Sequence, residues 1–264
     1  MAAPHAGVHH ADASDDIDVR RIGASDIFDA IKLGIADFNA KPSHLFLLGL
    51  IYPIGCVLGA VWAIQRDLIP LVFPIISGYA LMGPFAAVIL YEVSRRREQG
   101  RDFAWTEAFS VFTGPRFKTI GILGLVLSVI FLIWLLIAQA IYDATIGGIG
   151  FDTLAGFLRV VFLTPEGWTL IVIGNGVGFL LAVAVLAAFV VSFPMALDRD
   201  IGPIVAIRTS LRAAFASPGA MALWGAIIVG SMIIGGLTLL VGLAVVLPVL
   251  GHASWHVYRK AAPR

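Results

Sequence analysis

The chain has 264 residues, of which 59% are hydrophobic and 13% charged, with a formal net charge of +1 and a mean hydropathy of +0.94. A soluble domain carries roughly 25% charged residues, so this composition excludes an ordinary water-soluble globule, and the small net charge argues against nucleic acid as a partner. The single cysteine, Cys56, excludes an intrachain disulfide and leaves the redox compartment open.

Residues 1–21 read as a disordered polar tail. They carry His5, His9, His10, Asp12, Asp15, Asp16 and Asp18 and have no apolar core that could serve as a signal peptide. Residues 22–260 read as one integral membrane domain, followed by a short C-terminal tail at 261–264. Apolar runs predict membrane spans near 45–64, 68–91, 119–141, 169–193, 220–238 and 240–258, each close to the ~20 residues that cross a ~30 Å hydrocarbon core. The run from Ala220 to Tyr258 is about twice the length of one crossing, which predicts a tight turn inside it near Gly235-Gly236. The expected fold class is therefore all-α: a polytopic membrane helical bundle of about six transmembrane helices with short interfacial amphipathic helices.

Charge orients this bundle. With six spans, all 18 lysines and arginines except Arg66 and Arg159 fall on the side that holds both termini, as the positive-inside rule requires of a cytoplasmic face. Five spans would strand Arg259, Lys260 and Arg264 on the other side. The expected location is a bacterial inner membrane, multi-pass, with both termini cytoplasmic. On the outer side, residues 142–168 are too long for a simple turn. Phe151, Leu154, Leu158 and Phe162 repeat there at helical spacing, which fits a helix lying on the interface; a re-entrant, pore-lining segment is the other reading. Thr164-Pro165-Glu166 then supplies an N-cap, a first-turn proline and a first-turn acid for the fourth span, and Trp168 suits an aromatic belt.

Before each odd-numbered span comes an amphipathic stretch that ends in phenylalanine and then proline. These are Ile27, Ile31, Ile35 and Phe38 before Pro42; Trp105, Phe109 and Phe112 before Pro115; and Ile204, Ile207, Leu211 and Phe215 before Pro218. Pro84 and Pro248 also precede similar endings, Tyr91-Glu92-Val93-Ser94-Arg95-Arg96 and Trp255-His256-Val257-Tyr258-Arg259-Lys260, at equal offsets, with Pro194 before Arg199 a weaker echo. These correspondences suggest three parallel helical-hairpin repeats. The alternative is that any polytopic protein has a basic, amphipathic cytoplasmic side.

Polar groups inside a membrane are costly, so each is a candidate for function. Asn175 lies in Gly174-Asn175-Gly176-Val177-Gly178, where an amide could bond across a close helix contact. His252 and His256 share one helical face, and the repeat register gives Glu92 the position equivalent to His256, so Glu92, His252 and His256 form a candidate polar or ligand cluster. Ordinary interfacial hydrogen bonding is the competing reading, and no metal site is predicted. Arg95, Arg96, Arg97 and Arg101 are candidate contacts for anionic lipid headgroups, although orienting the protein is sufficient reason for them. No nucleophile elbow, zinc-protease motif, phosphate loop or dinucleotide fingerprint occurs in the sequence.

The ending Pro248-Val-Leu-Gly-His252-Ala-Ser-Trp255-His256-Val-Tyr258-Arg259, with Asp26 to Phe38 and the Pro84 region, resembles the bacterial predicted integral membrane proteins known as domain of unknown function family 2189. The resemblance runs from about Arg21 to Lys260. It implies a six-span inner-membrane protein and brings no established activity. Members are sometimes labelled as relatives of an oxidase's largest subunit, and this chain departs from such a subunit in lacking mid-membrane histidine ligands for haem and copper.

The function expected is that of a non-enzymatic accessory or scaffold component, with no cofactor. Its expected partners are the lipid bilayer, anionic headgroups, and either another membrane protein complex or a second copy of itself. Two alternatives stay open: a small-solute or lipid transporter or channel, and a metal- or haem-binding redox component.

Overall fold

The computed structural model describes residues 17–40, 42–65, 68–101, 111, 114, 116–151, 153–238 and 241–264. Regular structure among them is entirely helical. The tail up to residue 16 and the amphipathic stretch at Trp105, Phe109 and Phe112 lie outside the described residues.

The order is α1 (Ala24–Ala40), α2 (Pro42–Gln65), a 3-10 turn at Ile69–Leu71, α3 (Val72–Leu81), α4 (Gly83–Ala86), α5 (Val88–Glu98), α6 (Phe117–Thr145), α7 (Leu154–Leu163), α8 (Pro165–Phe189), α9 (Ser192–Asp198), α10 (Pro203–Ala216), α11 (Pro218–Leu237) and α12 (Leu243–Ala261). Proline opens α2, α8, α10 and α11, where its missing N–H costs no helical bond. Thr164 caps α8 as expected, accepting from the Gly167 N–H at 3.0 Å. At the end of α5, Gly100 takes φ +66, which lets the Gly100 and Arg101 N–H groups turn back onto the Arg97 and Arg96 carbonyls.

Among the described residues, three helical runs are long and apolar enough to cross a membrane: Phe117–Thr145 (α6), Pro165–Asp198 (α8 continued by α9) and Pro218–Leu237 (α11). Their outward faces carry Leu125, Leu136, Phe179, Leu180, Ile234 and Leu237, all strongly exposed. Apolar surface on this scale fits contact with lipid rather than water. The span read as one helix over 68–91 is broken instead. Turns at Met82 and Ala87 divide it, with Pro84 at the start of α4, so the membrane-length run becomes α3, α4 and α5 in succession. Helix α11 ends at Leu237 and α12 begins at Leu243, so the long apolar run from Ala220 is interrupted slightly beyond Gly235-Gly236.

Helix α12 is the hub, packing most extensively against α1 and also against α2, α5, α9 and α11. Helices α6 and α8 pack together, and α9 joins them to α5 and α12. The core between these elements holds Trp224, Trp255, Tyr258, Phe189, Phe193, Ile27, Ile120, Leu123 and Leu127, all essentially fully buried. Residues 17–21, read as part of the tail, are anchored in part. The Arg20 N–H bonds the Ala261 carbonyl at 2.9 Å, and the Arg20 side chain bonds the Lys260 carbonyl and Asp26.

On α1 the buried positions are Ile27, Ala30, Gly34, Asp37 and Phe38, whereas Phe28, Leu33 and Ile35 face outward. Helix α10 likewise buries Ala206, Thr209, Ser210, Ala213 and Ala214 and exposes Ile204 and Phe215. Small residues let these helices lie close to the bundle. Phe28, Leu33 and Ile35 of α1 and Ile204 and Phe215 of α10 point away from it, as on an interfacial helix.

Candidate functional site

The densest polar arrangement lies where α1, α5 and α12 meet. Asp37 comes from α1, Ser94 from α5, and His252 and His256 from successive turns of α12. The first three are almost completely buried, and His256 is mostly so. Ser94 donates its O–H to Asp37 Oδ2 at 2.6 Å. Its oxygen is then free to accept from the Nδ1–H of His252 at 2.8 Å. His256 Nε2 donates to the same Asp37 oxygen at 2.8 Å, while Arg97 donates to Asp37 Oδ1 at 2.9 Å and to the Ala36 carbonyl. One carboxylate thus collects three donors from two other helices. This tautomer leaves Nε2 of His252 as a buried lone pair with no partner among the described residues.

The pull of these donors on Asp37 is electrostatic. Burial alone raises its pKa, but hydrogen bonds from His256 and Ser94 outweigh burial and hold the carboxyl below its ordinary value of 3.8.

The predicted trio is divided. His252 and His256 do reach one cluster, but Glu92 faces its own arginines, accepting from Arg95 at 2.7 Å and Arg96 at 2.6 Å. Asp37 and Ser94 fill the part assigned to Glu92. Among the described residues, no group of three or more His, Cys, Asp or Glu side chains is arranged to hold a metal ion.

A second cluster joins α9 to the end of α12. The buried Asp198 carboxylate accepts from the Tyr258 hydroxyl at 2.8 Å and from Arg264, and Arg259 stands 3.6 Å away. Arg199 reaches the Tyr258 hydroxyl at 3.3 Å and the Ala262 and Pro263 carbonyls at 2.8 Å. Glu98 completes the ring, accepting from Trp255 Nε1 at 3.1 Å and from Arg259 at 2.8 Å. Tyr258→Phe removes one donor from a buried carboxylate that keeps its arginines. The expected cost is about 1.5 kcal/mol, read as a lower unfolding midpoint of the detergent-solubilised protein.

Of the remaining candidates, Asn175 does not bond across a helix contact. It is exposed on α8 and donates to the Ile171 carbonyl of its own helix at 2.8 Å. Arg95 pairs with Glu92, Arg97 with Asp37, and Arg96 with Glu92, so these arginines are partly neutralised within the protein. Arg101 is exposed just past the end of α5.

Asp37, Ser94, Asp198 and Tyr258 were not among the candidate site residues, yet two signals marked acids among them. Asp37 continues the buried register Ile27, Ala30, Gly34 of an amphipathic helix, a poor place for a lone carboxylate. Asp198 stands four residues after Pro194, as His252 stands four after Pro248.

No curated protein and no solved structure matches the chain. The ending around His252 and Tyr258, and Asp37 on α1, lie outside the segment that does find a match, whereas Ser94, Glu98, Asn175 and Asp198 lie within it. That segment is residues 72–198, which match the family described as predicted integral membrane protein (DUF2189), and this is the family of integral membrane proteins that the chain resembles.

Proposed function

We propose that the chain is a six-span bacterial inner-membrane protein with cytoplasmic termini, built from three related helical hairpins, which acts as a non-enzymatic accessory or scaffold for other membrane proteins or lipids. The observation that carries this reading is how the charged groups at the α1–α5–α12 end are used. Asp37, Glu92, Glu98 and Asp198 all face arginine or histidine partners, and three of the four reach a partner on another helix. Groups committed to internal pairing hold helices in place and are not poised for proton transfer or substrate turnover. A groove of about 330 Å³ between α1, α11 and α12, lined by Ile31, Phe38, Val246 and Ala253 with Asn39 and Ser231, suits a lipid acyl chain.

Support for the three hairpins comes from the register of the polar pairs. Counting from Pro84, Pro194 and Pro248, Ser94 and Tyr258 share the tenth position, and Asp198 and His252 share the fourth. The tenth-position residue of one unit bonds the fourth-position residue of another in both cases, Ser94 with His252 and Tyr258 with Asp198. Helices α5, α9 and α12 also pack against one another pairwise. The third pair in this register, Ile204 with Val88, is apolar, and Ile204 is exposed while Val88 is buried, so the ring is open at one contact.

Topology and function have separate tests. Reporters fused after Arg97 and after Arg264 are expected to read cytoplasmic, and one near Gly148 periplasmic; any other pattern removes the six-span topology. Extraction from native membranes in mild detergent, followed by mass spectrometry, is expected to recover a stoichiometric protein or lipid partner. Recovery of the chain with a bound small solute instead would shift the reading to transport.

A further inference from the structure

Asn175 presents a contradiction that the isolated chain leaves standing. Helix α8 starts at Pro165, so at 1.5 Å per residue Asn175 lies about 15 Å along it, near the middle of a ~30 Å hydrocarbon core. Its neighbours on the same face are among the most exposed residues of the molecule: Val172, one turn before, is 66% exposed and Phe179, one turn after, is 67%. The amide therefore points outward at mid-depth, where hydrocarbon offers it nothing to bond. One N–H is spent on the Ile171 carbonyl, and the amide oxygen accepts no hydrogen bond among the described residues. Beside it, Gly174 and Gly176 leave room, since a Cβ placed on either would meet nothing within 4 Å.

We propose that this face of α8 is the contact between two copies of the chain in the membrane, with the Asn175 amides of the two protomers bonded to each other. A second copy is the occupant that the chemistry selects. An amide is both donor and acceptor, so across a twofold axis it meets its own complement, and Gly176, on the same side of the helix as Val172 and Phe179 at about 100° per residue, allows the two backbones to approach closely enough for the amides to meet. Val172, Phe179 and Leu180 then pack around a polar centre. The proposal rests on α8 crossing the bilayer.

The test uses the full chain in native membranes with Cys56→Ala as background. Val172→Cys lies on the proposed contact and leaves Asn175 intact; Val229→Cys, 59% exposed on α11, is the control away from it. Mild oxidation is expected to convert Val172→Cys to a species of twice the chain's mass with about fivefold the yield of the control. Adding Asn175→Leu is expected to bring that yield down to the control level, and Asn175→Gln to preserve it. Equal yields at the two positions, a yield indifferent to Asn175→Leu, or crosslinking to a different protein would overturn the proposal. Labelling of Val172→Cys by a water-soluble maleimide in intact membranes would show that α8 is not in the bilayer, which removes the membrane-span reading itself.

Discussion

Asp37→Asn is expected to destabilise the protein by about 3 kcal/mol, the scale of losing one partner from a buried ionic cluster. The asparagine keeps the shape of the side chain but not its charge. Its one oxygen cannot serve the donors of Ser94, His256 and Arg97 together, and its NH₂ group confronts donors where an acceptor stood. Helix α1 would then lose its buried ionic tie to α5 and α12, keeping the apolar contacts, the Arg97 bond to the Ala36 carbonyl and the outer Lys260–Asp26 pair.

The same substitution should change how stability depends on pH. The folded-state pKa of Asp37 lies below its ordinary 3.8, so the native state holds the ionised form more tightly than the unfolded chain does. Its contribution is complete above about pH 4 and fades as pH falls through the lower folded-state value. Wild type should therefore lose stability across that acid range more steeply than Asp37→Asn. Denaturant unfolding of the two solubilised proteins from about pH 2 to about pH 7, which takes in that acid window and the plateau above it, measures this directly. Parallel curves would show that Asp37 is not ionised against its partners.

Gly34→Ala is the second substitution with a large expected effect, through packing alone. A Cβ at Gly34 would lie 2.7 Å from the Ala253 backbone nitrogen and 2.9 Å from its Cα. Ordinary carbon contacts are ~3.5–4.0 Å, and a backbone inside α12 cannot swing aside as a flexible side chain can. Helix α1 must therefore move outward by about 1 Å. That shift would open the contacts of Ile27, Ala30 and Phe38 and stretch the bonds that Asp37 makes. The expected cost is about 2–3 kcal/mol. Gly121→Ala is the matched control: it sits within α6 with nothing within 4 Å of its Cβ position, and should be neutral or gain up to about 1 kcal/mol from helix propensity. Equal midpoints for the two variants would mean that α1 does not lie against α12 as described.

The two predictions concern one helix whose partner could not be read along the chain. Hydrophobic periodicity marked α1 as amphipathic and grouped Ile27, Ile31, Ile35 and Phe38 on one face, because a 3.6-residue repeat is a local property. The structure divides that face, burying Ile27 and Phe38 and leaving Ile35 exposed, since the side against the bundle is a narrow one that includes Ala30 and Gly34, which give a weak apolar signal. The register marked Asp37 as a carboxylate in need of a partner but not what it meets, because its partners stand 57 to 219 residues away in sequence.

What the sequence determined by itself is the set of features that follow from composition and local pattern. Apolar length marked the long helices α6, α8 and α11, since crossing hydrocarbon requires a minimum run of apolar side chains. Prolines and Thr164 marked helix starts, since a missing N–H or a side-chain acceptor acts within one turn. The spacing of His252 and His256 placed both on one face of α12. Only the tertiary structure decided what that face meets. Glu92 turned to its own neighbours Arg95 and Arg96, while Asp37 arrived from the other end of the chain; Asn175 turned outward rather than into a helix contact. The reason is that a charged or polar side chain is placed by where its complement lies in space, and that depends on how helices far apart in sequence come to pack.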